Sequence, residues 1–158
     1  MTVQEPDRVY YKRRKYELVS ADNEDLFDPE EHGFDLFAPH TACWRGFIAT
    51  YAVKNRELLL RNLDCWNNPE STVPLVAGHL PAESTPWGEL NYKKLEHPVP
   101  YTGRLILGGG EVLGPFDYFV DWTIYELVHD CQFQRGHLVT AKDLSAEAAR
   151  RRWGESKQ

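Results

Sequence analysis

Cysteine is scarce in this chain: three residues in 158, with no Cys-x-x-Cys pair. Reduced thiols in a cytoplasmic protein are therefore expected rather than a disulfide framework. Long apolar runs are missing too. The best candidate, 118–128, is broken by Asp121 and Glu126, and it falls short of the roughly 18–20 residues of a membrane span. The opening MTVQEPD has no apolar stretch, so no secretory signal is expected and residues 1–7 read as frayed. A cationic excess is also lacking: 18 Lys and Arg stand against 24 Asp and Glu, a net charge of −6. A nucleic-acid partner is therefore not expected, since phosphate binding needs a basic face. There is no G-x-S-x-G nucleophile elbow, no internal repeat and no P-loop, and no cofactor is expected.

What the chain does have is aromatic side chains, 13% of its residues including five tryptophans. These favour β structure with large groups in a core or a pocket wall. At 158 residues a single domain is expected, with enough chain to bury a core. Its organising feature is the stretch 41–63, TACWRGFIATYAVKNRELLLRNL, which reads as a long β-hairpin. Trp44, Gly46, Ile48 and Thr50 alternate with Cys43, Arg45, Phe47, Ala49 and Tyr51. The turn is placed at Lys54-Asn55-Arg56, because Asn tolerates a left-handed backbone. On the return strand Leu58 and Leu60 take one face and Leu59, Arg61 and Leu63 the other.

Around this hairpin the pattern predicts further strands at 9–19, 75–80, 101–107 and 118–133, and a second hairpin through Gln134-Arg135-Gly136 to Thr140. The Lys12–Lys15 run reads as solvent-facing charge on an edge strand. Gly108–Gly110 reads as the turn that ends a strand. Residues 81–100 hold four of the ten prolines and read as an irregular insertion or lid. A helix is expected over 143–153, capped by Asp143 or Ser145, with Arg150–Arg152 as solvated charge near its C-terminus. The fold expected is α+β and mainly antiparallel: a curved sheet or partly closed barrel of about seven strands with a C-terminal helix.

Thr41-x-x-Trp44-Arg45-Gly46-Phe47-x-Ala49-Thr50-Tyr51 resembles the T-x-x-WRGY-x-A-T-W hairpin of a family of small bacterial proteins. Tyr101-Thr-Gly-Arg-Leu105 and Tyr125-Glu126 look like later strands of the same family. The likeness covers about half of the chain. No activity is established for that family, so the resemblance implies a shared hairpin and no catalytic residue.

Several constellations bear on chemistry. Acidic residues crowd 22–31, but no D-x-D-x-D-G loop with a closing Glu is present, so an EF-hand is excluded. His40, Cys43 and Cys65 are a weak metal candidate, since the hairpin register would bring them near one another; three ligands suit only an open zinc site. His129 and Cys131 share a strand face without a nucleophile signature. Arg45 matters most, because a guanidinium in an aromatic strand must find acceptors or water. It either pairs with Asp121 or Glu126 as part of the fold, or captures an anion in a pocket walled by Trp44, Tyr51, Trp122 and Tyr125. Asp121 could alternatively pair with Arg104. Functionally, the chain reads as a small acidic cytoplasmic binding protein for a basic protein partner, an immunity-type inhibitor being one form. The alternative is a small-ligand site or enzyme around Arg45 and Asp121. Edge strands leave room for a homodimer.

Overall fold

Three two-residue turns drive the architecture. Lys12-Arg13, Asn55-Arg56 and Arg135-Gly136 each place both residues at positive φ, the turn whose twist matches that of paired strands. A computed structural model describes residues 5–22, 26–113 and 122–155, apart from the side chains of 153–155. The turns join β1 (Arg8–Tyr11) to β2 (Arg14–Ala21), β3 (Phe47–Lys54) to β4 (Glu57–Trp66), and β9 (Tyr125–Gln134) to β10 (His137–Asp143). Between the last two hairpins lie β5 (Glu83–Ser84), β6 (Glu89–Tyr92), β7 (His97–Pro98) and β8 (Gly103–Val112), and α1 (Ser145–Glu155) closes the chain.

The strand order is β10-β9-β8-β2-β1-β3-β4-β6-β5, with β7 beside β4. Pairing is antiparallel except between β1 and β3. His137 of β10 also faces Glu57 of β4, and the Leu58 and Leu138 amides donate to Gly136 and Arg56 carbonyls at 2.8 and 2.7 Å. Seven strands thus close into a ring, and β5, β6 and β7 extend it past β4. The fold is mostly antiparallel sheet with one C-terminal helix, of α+β class.

Several local expectations are corrected. Residues 9–19 are two strands, and the basic run spans their turn and the start of β2 rather than an edge. The central hairpin begins at Phe47, because 41–43 form a 3-10 turn. On β4, Arg61 is an extra residue opposite the step from Thr50 to Tyr51. This bulge resets the alternation, so Leu58, Leu60, Leu63 and Cys65 all enter the core. Gly108 and Gly109 lie inside β8 instead of ending it. A Cβ there would sit 2.6 Å from the Tyr125 ring and 2.7 Å from the Tyr16 ring respectively, so the glycines clear space for two aromatics. Residues 75–80 are a turn with a Val76–His79 bridge rather than a strand. Nor is 81–100 a lid, since Leu90, Tyr92, Leu95 and Val99 are core residues. The described part of the strand expected over 118–133 begins at Tyr125, after a 3-10 turn at Trp122–Ile124.

The main core fills the ring, from Val9 and Tyr51 to Leu105 and Phe133. A second cluster, Ile106, Tyr125, Val128, Leu144 and Ala148, lies under α1. The Asp143 carboxylate accepts the Ser145 amide at 2.8 Å, and the Ser145 hydroxyl accepts the Val128 amide at 3.0 Å. The arginines of α1 are not all solvated. Arg152 donates to the Thr123 and Tyr125 carbonyls, and Arg151 lies 4.8 Å over the Trp122 ring.

Candidate functional site

Arg45 follows the 3-10 turn and precedes Gly46, whose φ is +82°. A Cβ at Gly46 would lie 2.7 Å from the Phe37 carbonyl oxygen, so only glycine lets the chain bend here into β3. The bend turns Arg45 inward onto Asp7. Its Nη2 donates to Asp7 Oδ1 at 2.6 Å, its Nη1 to Asp7 Oδ2 at 3.3 Å and its Nη2 also to the Phe47 carbonyl at 3.3 Å. The guanidinium stacks 4.2 Å over the Phe47 ring. Asp7 Oδ1 also accepts the Ala49 amide at 2.9 Å. The pair therefore staples the N-terminal segment to β3. Asp7, expected in a frayed tail, is buried, and the Glu5 amide is held by the Ala42 carbonyl at 2.7 Å.

The aromatic pocket expected around Arg45 is not assembled. Tyr51 is in the ring core. Trp122 and Tyr125 belong to the cluster under α1, where the Tyr125 hydroxyl donates to Glu17 at 2.7 Å. Trp44 points outward and is 64% exposed. Asp121 lies outside the described residues, and Glu126 accepts the Glu111 amide on the surface. Arg104, the other expected partner of Asp121, meets Asp130 at 3.0 Å.

The metal candidates separate as well. Cys43 and Cys65 are fully buried, while His40 is exposed and its ring stacks edge-on against Trp66. Burial pushes the Cys65 thiol up to about 12, away from the thiolate a metal requires. Among the described residues no three His, Cys, Asp or Glu side chains gather as a metal site.

A surface that sequence reasoning missed has the opposite character. Trp87 is 69% exposed, and Phe37, Val73, Leu75 and Leu80 are also exposed apolar groups. Two close approaches bring Phe37 beside the Trp87 segment. Gly88, at φ +108°, would place a Cβ 2.2 Å from the Asn67 carbonyl oxygen and 3.1 Å from the Phe37 ring. Phe37 in turn hydrogen-bonds to Trp66 through its amide, at 2.9 Å. Phe37 thus lies against both Gly88, next to Trp87, and Gly46, two residues after Trp44. Beside them an open groove of about 180 Å³ runs between Asn67, Ser71, Val73, Thr85, Gly88 and Leu90.

The loop over 34–37 is fastened to this groove. Asn67 accepts the Asp35 amide at 2.7 Å, and the Asp35 carboxylate accepts from Asn68 and Ser71 at 3.2 and 3.4 Å. Phe34 packs on Tyr92, with ring centroids 5.8 Å apart. The two segments that build the face share a charge bias. Residues 26–44 carry four carboxylates and 62–92 carry four, and neither holds one of the 18 Lys and Arg. That gap in the cations is the sequence signal that would have marked the face.

Among the described residues, no helix is long and apolar enough to cross a membrane. No family model, no curated protein and no solved structure matches the chain.

Proposed function

We propose that the chain is a protein-binding domain whose face around Phe37, Trp44 and Trp87 docks on a basic protein partner. The observation that carries this reading is the exposure of two tryptophans on a surface built from segments with eight carboxylates and no Lys or Arg. Exposed aromatics at the centre of a patch act as binding anchors. A surrounding field of one sign steers an oppositely charged partner and rejects like-charged ones. An immunity-type inhibitor that covers a basic toxin is the most concrete form of such a domain. On this reading the ring acts as a partly closed barrel that holds the face rigid, and Arg45 belongs to the scaffold.

The test begins with capture from the source cell on immobilised wild-type chain, followed by titration of the purified interactor. A basic interactor is expected to lose at least about a hundredfold in affinity to Trp44→Ala/Trp87→Ala, the size of two anchor residues. Its affinity should fall with salt, and Lys142→Glu, on β10, should leave it unchanged. An interactor indifferent to the tryptophans, or no interactor that prefers wild type over the double variant, overturns the proposal.

A further inference from the structure

At the end of the ring that carries the β1–β2 turn, a histidine is held in one orientation by a tyrosine. His129 on β9 and Tyr16 on β2 are separated by β8, and Gly109 of β8 has no side chain where the Tyr16 ring lies over it. The His129 Nε2 lies 3.2 Å from the Tyr16 hydroxyl. The ring is also packed edge-on by Tyr16 and Tyr11, at centroid distances of 5.2 and 5.4 Å. No described protein group bonds the other nitrogen, Nδ1. Lys12 reaches over the same end, with its ammonium 5.4 Å from the Tyr11 ring centre, and it stands within electrostatic reach of His129, Cys131 and Asp143. Arg13, Arg14 and Lys15 continue the cationic run.

We propose that this cluster binds a small oxyanion, a phosphate or carboxylate group, between His129 Nδ1–H and the Lys12 ammonium. Tyr16 donates its hydroxyl proton to Nε2, which leaves the remaining ring proton of a neutral imidazole on Nδ1. That N–H and the ammonium are the donors an anion needs. Burial keeps His129 below its usual range, so the ring is neutral at pH 7 and acts as an oriented donor rather than as a cation. The groups facing it are Tyr11 from β1, Lys12 from the turn, Tyr16 from β2 and Asp143 from β10, and Arg14 and Cys131 act on Tyr16 beside it. Asp143 is the one carboxylate among them. Its hydrogen bond to the Ser145 amide ties it to the start of α1, and its charge opposes an anion. The site is independent of the tryptophan face.

The experiment is nitrogen-15 NMR of the histidine ring in the full chain at pH 7, titrated separately with inorganic phosphate and with acetate at constant ionic strength. The Nδ1–H tautomer is expected before any addition. Saturable shifts of His129, with the other five histidines unmoved, are expected with at least one probe, and the probe that binds tighter names the source chemistry. Lys12→Asn, which suits the positive φ of the turn, should weaken binding about tenfold, the loss of one charge-assisted bond. Asp143→Asn should tighten it, and Tyr16→Phe should mix the tautomers. An Nε2–H tautomer in the wild-type chain, or His129 shifts that neither probe moves, overturns the proposal. Because the readout is the resonance of a folded chain, a variant that fails to fold is recognised by its spectrum, and the wild-type titration still decides.

Discussion

The ring and the acidic face treat their aromatic and charged groups in opposite ways. In and against the ring, Tyr51, Tyr92 and Tyr125 are buried, and polar groups answer one another: Arg45 with Asp7, Tyr125 with Glu17, Arg56 with the Leu138 carbonyl at 2.7 Å. On the face, Trp44 and Trp87 stand in solvent and the carboxylates have no Lys or Arg within their own segments. Burying a tryptophan stabilises a fold far more than leaving it in water. Large aromatics left outside are therefore surface that the fold does not use. The contrast separates what makes this protein fold from what it offers to a partner.

The comparison breaks most visibly at the Arg45–Asp7 staple. Asp7→Ala leaves the guanidinium without its bidentate acceptor and the Ala49 amide without its own. We expect a loss of about 3 kcal/mol, the low end for breaking a largely buried pair, read by urea denaturation. Arg45→Lys should recover only part of it, because a point charge cannot reproduce two parallel bonds. If both variants melt like wild type, the staple is not what holds the N-terminus.

Next in size is Gly109→Ala. The added methyl meets the Tyr16 ring, and overpacking of this kind costs about 1–3 kcal/mol. Gly33→Ala, on the acidic side, meets no atom within 4 Å but has φ +89°. It isolates the backbone strain alone, about 1 kcal/mol. Equal losses at the two sites would remove packing as the reason for the β8 glycines.

A pH effect is expected to be smaller. On the side of the ring that meets the acidic segment, His97 packs edge-on against Phe27 and His32 at 6.0 and 5.9 Å. Burial, then the neighbouring His32, holds His97 below its ordinary 6.5. The unfolded chain therefore takes up this proton more readily, so stability present above about pH 6.5 falls as pH drops below it. Denaturation at pH 7.5 and 5.5 should show that decline, and His97→Gln should lessen it. An unchanged decline in the variant would locate the titrating group elsewhere, His129 being the other lowered histidine.

Much of the frame was legible in the sequence. The hairpin turns at Asn55 and Gly136 and the C-terminal helix follow from local chemistry that the neighbours do not override. Arg45 stood out correctly as a residue in need of acceptors, but its partner, Asp7, lies 38 positions away in a segment whose polarity reads as a frayed end. The bulge at Arg61 defeated a strict alternation, since one extra residue reverses every face that follows it. The glycines of β8 looked like punctuation because the rings that need their space come from other strands. The exposed face was missed for a related reason: a tryptophan's burial is decided by what packs on it, and nothing local to Trp87 says that nothing does.

The measurement that bears most directly on the separation of scaffold and surface pairs a melt with a titration on Trp44→Ala/Trp87→Ala. With both rings already in solvent, the double variant should unfold within about 0.5 kcal/mol of wild type. It should also bind the purified basic interactor at least about a hundredfold more weakly. A variant that loses substantial stability, or that keeps its affinity, would contradict the account.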